Sequence, residues 1–152
     1  VQRWTSSSES RRKTQNRVRD ELTTTIPLCM DQGVGLMPWS PMARGRLTRP
    51  NGQQTTRTQT DISGQSFYQA TEAEDGRVID RVEEIAKEKG VPMAQVALAW
   101  VLSKRAVSAP IVGASKAHHL DDATAALGLA LSVEDIQRLE ELYVPHAVTG
   151  FS

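Results

Sequence analysis

The stretch that most constrains this chain is Gly33-Val-Gly-Leu-Met-Pro-Trp-Ser-Pro-Met-Ala-Arg-Gly45. Val34 to Met37 is a short apolar run entered through Gly33, the pattern of a buried strand. It cannot continue as one. Pro38 and Pro41 remove ladder donors, and Pro41 pushes Ser40 toward an extended or turn conformation. A strand that ends in a hydroxyl, a proline turn and Arg44 places polar groups at its C-terminal end. In α/β folds ligands sit at that end.

A second run, Val107 to Val112, has the same character and exits through Gly113-Ala114-Ser115. Gly113 and Ala114 let a ligand approach the backbone, and Ser115 adds a hydroxyl. A helix is expected from Lys116 or Ala117 to Leu127, so its positive N-terminal end points at the same place. Lys116 and His119 add cationic or donor groups there. At the first exit, Ser40 offers a hydroxyl and the Met42–Gly45 turn offers backbone N–H groups beside Arg44. Both exits therefore carry phosphate-binding features, as the loops after strands 7 and 8 of (β/α)₈ barrels commonly do.

The intervening segments read as helices and one long loop. Thr25 is placed to cap a helix, Pro27 suits its first turn, and Gly33 stops it. From Arg46 to Thr71 the apolar anchors are Leu47, Ile62, Phe67 and Tyr68. A loop of that length is either disordered or functional, and after a strand with a polar exit the functional reading, a cover over the ligand mouth, is the favoured one. Glu74 to Lys89 is amphipathic, with Val78, Ile79, Val82, Ile85 and Ala86 on one face. Its Glu84–Glu88 pair reads as a solvated face. Gly90 ends that helix and Pro92 opens the next, Met93 to Leu102, which is apolar nearly all round with Trp100 in its core. Ser132 caps the last helix, Asp135 supports its positive end, and Ile136, Leu139 and Leu142 form its buried stripe. His146 reads as a surface residue of the irregular tail.

The 152 residues match one ordinary domain, and a zero net charge disfavours a nucleic-acid partner. The zero conceals a split. Residues 1–19 carry six basic residues against Glu9, or +5, leaving twelve basic against seventeen acidic, or −5. That basic leader, disordered or non-native, is set apart from residues 20–152. Cys29 is the single cysteine, read as a packed core thiol in a reducing, cytoplasmic setting. No run is long enough for a membrane span, and no metal site is apparent.

Four motifs, Ile26-Pro-Leu-Cys-Met-Asp-Gln-Gly-Val-Gly35, Trp39-Ser-Pro-Met-Ala-Arg-Gly45, Ala94-Gln-Val-Ala-Leu-Ala-Trp100 and Pro110-Ile-Val-Gly-Ala-Ser115, occur in one order and spacing. Together they resemble the C-terminal half of the aldo-keto reductases, particularly the bacterial and potassium-channel-β-like branch. The resemblance implies an α/β fold, an incomplete (β/α)₈ TIM barrel made of the last two βα units plus the C-terminal helix. It implies NADP(H) as the cofactor, contacted by Trp39, Ser40, Pro41, Met42, Ala43 and Arg44, and by Gly113, Ser115, His119, Asp122 and Ala123. His119 stands where the family often has Arg or Gln, and Ala123 where Asn often contacts adenine.

The family's catalytic Asp, Tyr, Lys and His come from earlier strands, so the resemblance assigns no catalytic residue here. It implies carbonyl reduction only in a full-length parent, with a missing N-terminal barrel half as partner. Two strands alone cannot close a barrel. A non-catalytic NADP(H)-binding or regulatory module, and a truncated gene product without independent activity, are the competing readings.

Overall fold

Burial of one apolar helix organises the chain. In the computed structural model, residues 25–53, 68 and 71–144 are described. The leader 1–19, the anchors Ile62 and Phe67, and the tail with His146 lie outside the described residues. The helices are α1 (Ile26–Gln32), α2 (Glu72–Lys89), α3 (Met93–Leu102), α4 (Ala117–Ala125) and α5 (Val133–Glu140). Two 3₁₀ turns, Ala43–Thr48 and Ala126–Gly128, complete the described elements. Within α3, Met93, Val96, Ala97, Leu98, Ala99 and Val101 are all buried. Both 3₁₀ turns, α2 and α4 pack against it.

The helix ends follow from their punctuation. Gly33 and Gly90 both adopt φ 66°, a left-handed conformation that costs glycine little. After Gly33, the Val34 N–H returns to the Cys29 carbonyl at 2.8 Å. Thr25 differs from expectation. It is itself helical and makes no side-chain cap. Cys29 is half-buried on a helix with no buried residue, so it is not a core thiol. At α5, Ser132 Oγ accepts from the Asp135 N–H at 3.0 Å, and Asp135 Oδ2 accepts from the Ser132 N–H at 2.8 Å. This reciprocal box satisfies two helix-end donors.

Ile79, Val82, Ile85 and Ala86 of α2, Met93 and Val96 of α3, and Leu139 of α5 form one core cluster. Trp100 packs against its edge and is only half-buried, because its indole needs a polar partner. Its Nε1–H donates to Glu140 Oε1 at 3.0 Å, and the Lys104 ammonium lies 4.5 Å over the ring while pairing with Glu140. Nor are Glu84 and Glu88 merely solvated. Arg138 of α5 grips Glu88 through two 2.7 Å hydrogen bonds, while Arg81 meets Glu84 at 2.9 Å. Among the described residues, no helix is long and apolar enough to cross a membrane.

The two expected strands are reduced to isolated parallel bridges, Leu36 with Val107 and Trp39 with Ile111. The Leu36 N–H donates to the Ala106 carbonyl at 2.7 Å, and the Ser108 N–H donates to the Leu36 carbonyl at 2.8 Å. An unbroken parallel register would next need N–H groups from Pro38 and Pro110. Neither has one. The pairing slips by one residue and resumes where the Ile111 N–H reaches the Pro38 carbonyl at 2.9 Å. Gly35 permits the approach, since a Cβ there would collide with the Ser108 hydroxyl. Met37 (63% exposed), Trp39 (68%) and Ile111 (53%) leave this pair uncovered.

Three substitutions test this packing. Ile85→Ala, at a fully buried position, should cost about 2–5 kcal/mol in urea unfolding followed by helical CD. Leu127→Ala, at an exposed position, should change stability by less than about 0.5 kcal/mol. The Lys89 ammonium, followed by the Ser132 N–H and hydroxyl, holds the Asp135 carboxyl below its ordinary value despite burial. A carboxyl depressed by folding contributes stability above its unfolded value, about 4, and loses it as pH falls through the folded value. Asp135→Asn should therefore be less stable at neutral pH and show a weaker acid-induced loss. Equal loss in both proteins on acidification would exclude this linkage.

Candidate functional site

The first exit is a tight turn built from unusual backbone. Ser40 (φ 53°), Ala43 (φ 48°) and Arg44 (φ 55°) are left-handed without being glycine, and Gly45 follows at φ 91°. Such a conformation costs a non-glycine residue roughly 1–2 kcal/mol, so the surroundings must hold it. The Ala43 N–H donates to the Ser40 carbonyl at 2.9 Å and the Arg44 N–H to Ser40 Oγ at 3.0 Å. The Gly45 N–H reaches the Met42 carbonyl at 2.9 Å, and Thr48 Oγ1 donates to the Gly45 carbonyl at 2.8 Å. Leu47 anchors the turn against the core cluster.

This geometry corrects the expectation for the turn. The N–H groups of Ala43, Arg44 and Gly45 are engaged inside it and are not offered to a ligand. Ser40 retains a different capacity. Its oxygen accepts from Arg44, so its own O–H remains the donor that a ligand can use. Pro41 and Met42 are half-buried beside it, and Trp39 exposes its ring. The Arg46 guanidinium lies 4.8 Å over the Tyr68 ring, bringing part of the long loop back to this exit.

The second exit is open. Gly113, Ala114 and Ser115 are exposed, and a Cβ built on Gly113 would meet nothing within 4 Å. Lys116 is extended at the N-cap of α4 and supplies no side-chain cap. The Ser115 N–H points to His119 Nδ1 across 3.4 Å, a long hydrogen bond. His118 and His119 meet edge to face, with centroids 4.5 Å apart. Further along α4, Asp122 Oδ1 accepts from Gln95 Nε2 of α3 at 2.9 Å. Ala123 is half-buried and offers no polar side-chain group.

The parallel Trp39–Ile111 bridge sets both exits at the same end of the pair. Adjacent strands lie about 4.8 Å apart, with Ser40 one residue beyond one bridge partner and Gly113 two beyond the other. Because α3 packs against both the Ala43–Thr48 turn and α4, it supports the two halves together. The exits of the sequence reading are thus brought to one end. Gln95, a lone amide in an otherwise apolar helix, is the sequence signal for its contact with Asp122. Among the described residues, no cluster of three or more His, Cys, Asp or Glu could hold a metal.

Parallel exits, one closing in a serine turn and one opening onto a helix start, thus share one end of the paired segments. Residues 14–144 match the aldo/keto reductase family, and the chain belongs to that family. Membership implies a (β/α)₈ barrel, of which the described residues display mainly helices. The chain is 48% identical over 132 residues to versiconal hemiacetal acetate reductase of Aspergillus parasiticus, covering 86% of this chain and 38% of that protein. It is 44% identical over 135 residues to an aldo-keto reductase of Fusarium vanettenii, covering 88% and 36% respectively. An aldo-keto reductase of Alternaria alternata is 40% identical over 134 residues, covering 88% and 36%. These relatives are fungal, and the chain spans less than two-fifths of each.

Strain in the first exit is directly measurable. Ala43→Gly should stabilise the chain by about 0.5–1 kcal/mol, the left-handed penalty relieved less the added unfolded-state entropy. Ala43→Val should destabilise it, because a β-branched residue fits that conformation worse. Denaturant titration of both variants checks the sign. A destabilised Ala43→Gly would show that the turn does not adopt this backbone.

Proposed function

We propose that this chain is the C-terminal, NADP(H)-binding portion of an aldo-keto reductase, of the bacterial and potassium-channel-β-like branch. Its architecture is the last two βα units of the barrel plus the C-terminal helix. The parent activity is NADPH-dependent reduction of an aldehyde or ketone in the cytoplasm. The observation that supports this most is the parallel pairing that sets the Ser40 turn beside the Gly113–Ser115 exit. The open space over Gly113 and the uncapped start of α4 suit an anion. Their donor chemistry fits a dinucleotide phosphate.

When bound, the nicotinamide supplies the hydride. The chain's own residues bind and orient. The exposed Trp39 ring gives a flat apolar wall, the Ser40 O–H a donor, and Pro41 to Arg44 a turn of fixed shape. Ser115, Lys116 and His119 surround the helix start, and Asp122 presents an acceptor beside Ala123. None of these provides the Asp, Tyr, Lys and His set that protonates and polarises a carbonyl. Those groups would come from an N-terminal barrel half, which would also cover Met37 and Ile111.

Two outcomes test the proposal. In fluorescence titrations NADPH should bind this chain more tightly than NADH. His119→Arg should raise NADPH affinity about 2–5-fold at pH 8, the scale of one exposed charge at a helix start, while His118→Arg does less. An NADPH-to-NADH ratio unchanged by His119→Arg would remove His119 from the phosphate site. The purified chain should also show no carbonyl reduction above background, since general acid catalysis alone is worth about 10²–10⁴-fold. Turnover abolished by a substitution within these 152 residues would place catalytic groups inside the chain.

A further inference from the structure

We propose that Asn51 is a site of spontaneous covalent modification. Its side chain closes on the Gly52 nitrogen to a cyclic imide, which water opens to aspartate or isoaspartate, the latter unseating this turn from α2. The inference stands apart from the NADP(H) reading. Pro50-Asn51-Gly52-Gln53 is a turn closed by the Gln53 N–H to the Pro50 carbonyl at 3.3 Å, with Gly52 at φ 78°. A positive φ at the third position marks a type II turn, where glycine is favoured. The closing bond uses the first and last residues. Asn51 and Gly52 therefore occupy the two central positions, and both are exposed. Gly52 has no Cβ to obstruct its own nitrogen, and one built there would meet nothing within 4 Å.

The chemistry needs only water and hydroxide. The Gly52 nitrogen, deprotonated by hydroxide, attacks Asn51 Cγ and forms an N–Cγ bond that closes a five-membered ring. The Cγ–Nδ2 bond breaks, and the leaving nitrogen takes a proton from water to depart as ammonia. Water then adds to one of the two ring carbonyls. Opening at Cγ gives aspartate. Opening at the backbone carbonyl gives isoaspartate, whose chain runs through Cβ and Cγ and whose carboxylate branches from Cα.

The fold selects this dipeptide over a similar one. Asp75-Gly76 can close the same ring with loss of water, but Gly76 is buried within α2 and its N–H lies inside the helical ladder. Asp75 Oδ2 also accepts from Thr71 Oγ1 at 2.8 Å. A ring there requires the helix to open. Gly76 serves Asn51 instead. A Cβ on Gly76 would stand 2.8 Å from Asn51 Nδ2 and 3.7 Å from its Cγ. Glycine inside a helix is costly relative to alanine, and here it makes the seat for the Asn51 amide. Isoaspartate leaves that seat empty, because the former side-chain atoms have become backbone.

The test incubates the full chain at 37 °C, at pH 6 and at pH 8, then follows peptide masses after digestion. Isoaspartate is scored by methyl transfer from S-adenosylmethionine with isoaspartyl methyltransferase. The sequence has two asparagines, and Asn16, followed by Arg17, is the internal comparison. The Asn51 peptide should gain one mass unit at least about tenfold faster than the Asn16 peptide, and faster at pH 8 than at pH 6. Gly52→Ala should slow the gain about tenfold, and Asn51→Gln should abolish it. Asp75 should form isoaspartate in urea but not in the native chain. Amide exchange across residues 43–53 should quicken in the isoaspartate form, which separates chromatographically from the parent. Equal rates at Asn16 and Asn51, or a rate indifferent to Gly52→Ala, would overturn the site. Native isomerisation at Asp75 as fast as at Asn51 would overturn the selection by the fold. Isoaspartate at Asn51 with unchanged exchange would overturn the seat on α2.

Discussion

The rest of the structure depends on burying α3 from several sides at once. A helix apolar all round cannot sit at a surface, so it requires neighbours in every direction. It obtains α2 on one side, α4 and the Ala126–Gly128 turn on another, and the Ala43–Thr48 turn on a third. That same requirement brings the two strand exits to a common support. The hydrophobic cost of exposing Val96, Leu98 and their neighbours therefore acts, indirectly, on the placement of Ser40 and Asp122. At roughly 25 cal/mol per Å² of apolar area, this burial outweighs any single polar contact at the surface.

The polar contacts arrange the layer more than they stabilise it. Arg138 with Glu88, Lys89 with Asp135, and Lys104 with Glu140 all tie α5 to the preceding helices. Solvent screening keeps the contribution of such a pair small where it is exposed, as Arg138 with Glu88 is. The fixed geometry of these pairs nevertheless restricts how α5 can turn about its axis, with Leu139 inward. The Asp135 carboxylate is better placed than the others, because it serves Lys89 and the Ser132 cap together. Strain runs the other way. Three left-handed non-glycine residues at the first exit are held by the turn's own hydrogen bonds and by Leu47 in the core. Such strain clusters where a chain clamps a ligand.

What the sequence made legible was local. The bounds of α3 follow directly from Pro92 and its apolar run, and Gly33, Gly90 and the Ser132–Asp135 box end or begin helices as expected. The amphipathic helix starts at Glu72, two residues before its expected first residue, and the α4 pattern tightens into a 3₁₀ turn after Ala125. What stayed hidden depended on partners distant in sequence. Pro38 and Pro110 each look tolerable alone. Only the parallel register shows that they remove donors from the same rung and break a strand pair into two bridges. The family motifs located Ser40 and Ser115, yet gave no hint that the first turn engages its own N–H groups. Gln95 was visible as an amide, but its partner lay 27 residues away.

Two strand exits sharing one support and receiving one ligand is the central claim, and backbone amide NMR reads it most directly. Titrating the ¹⁵N-labelled chain with NADPH should shift resonances in two blocks, residues 39–45 and 113–123. The α2 and α5 surfaces should stay still. Adding 2′,5′-ADP, which lacks the nicotinamide end, should move the second block and leave most of the first unchanged. Shifts confined to one block with NADPH, or spread over α2 and α5, would contradict a single site built across both exits.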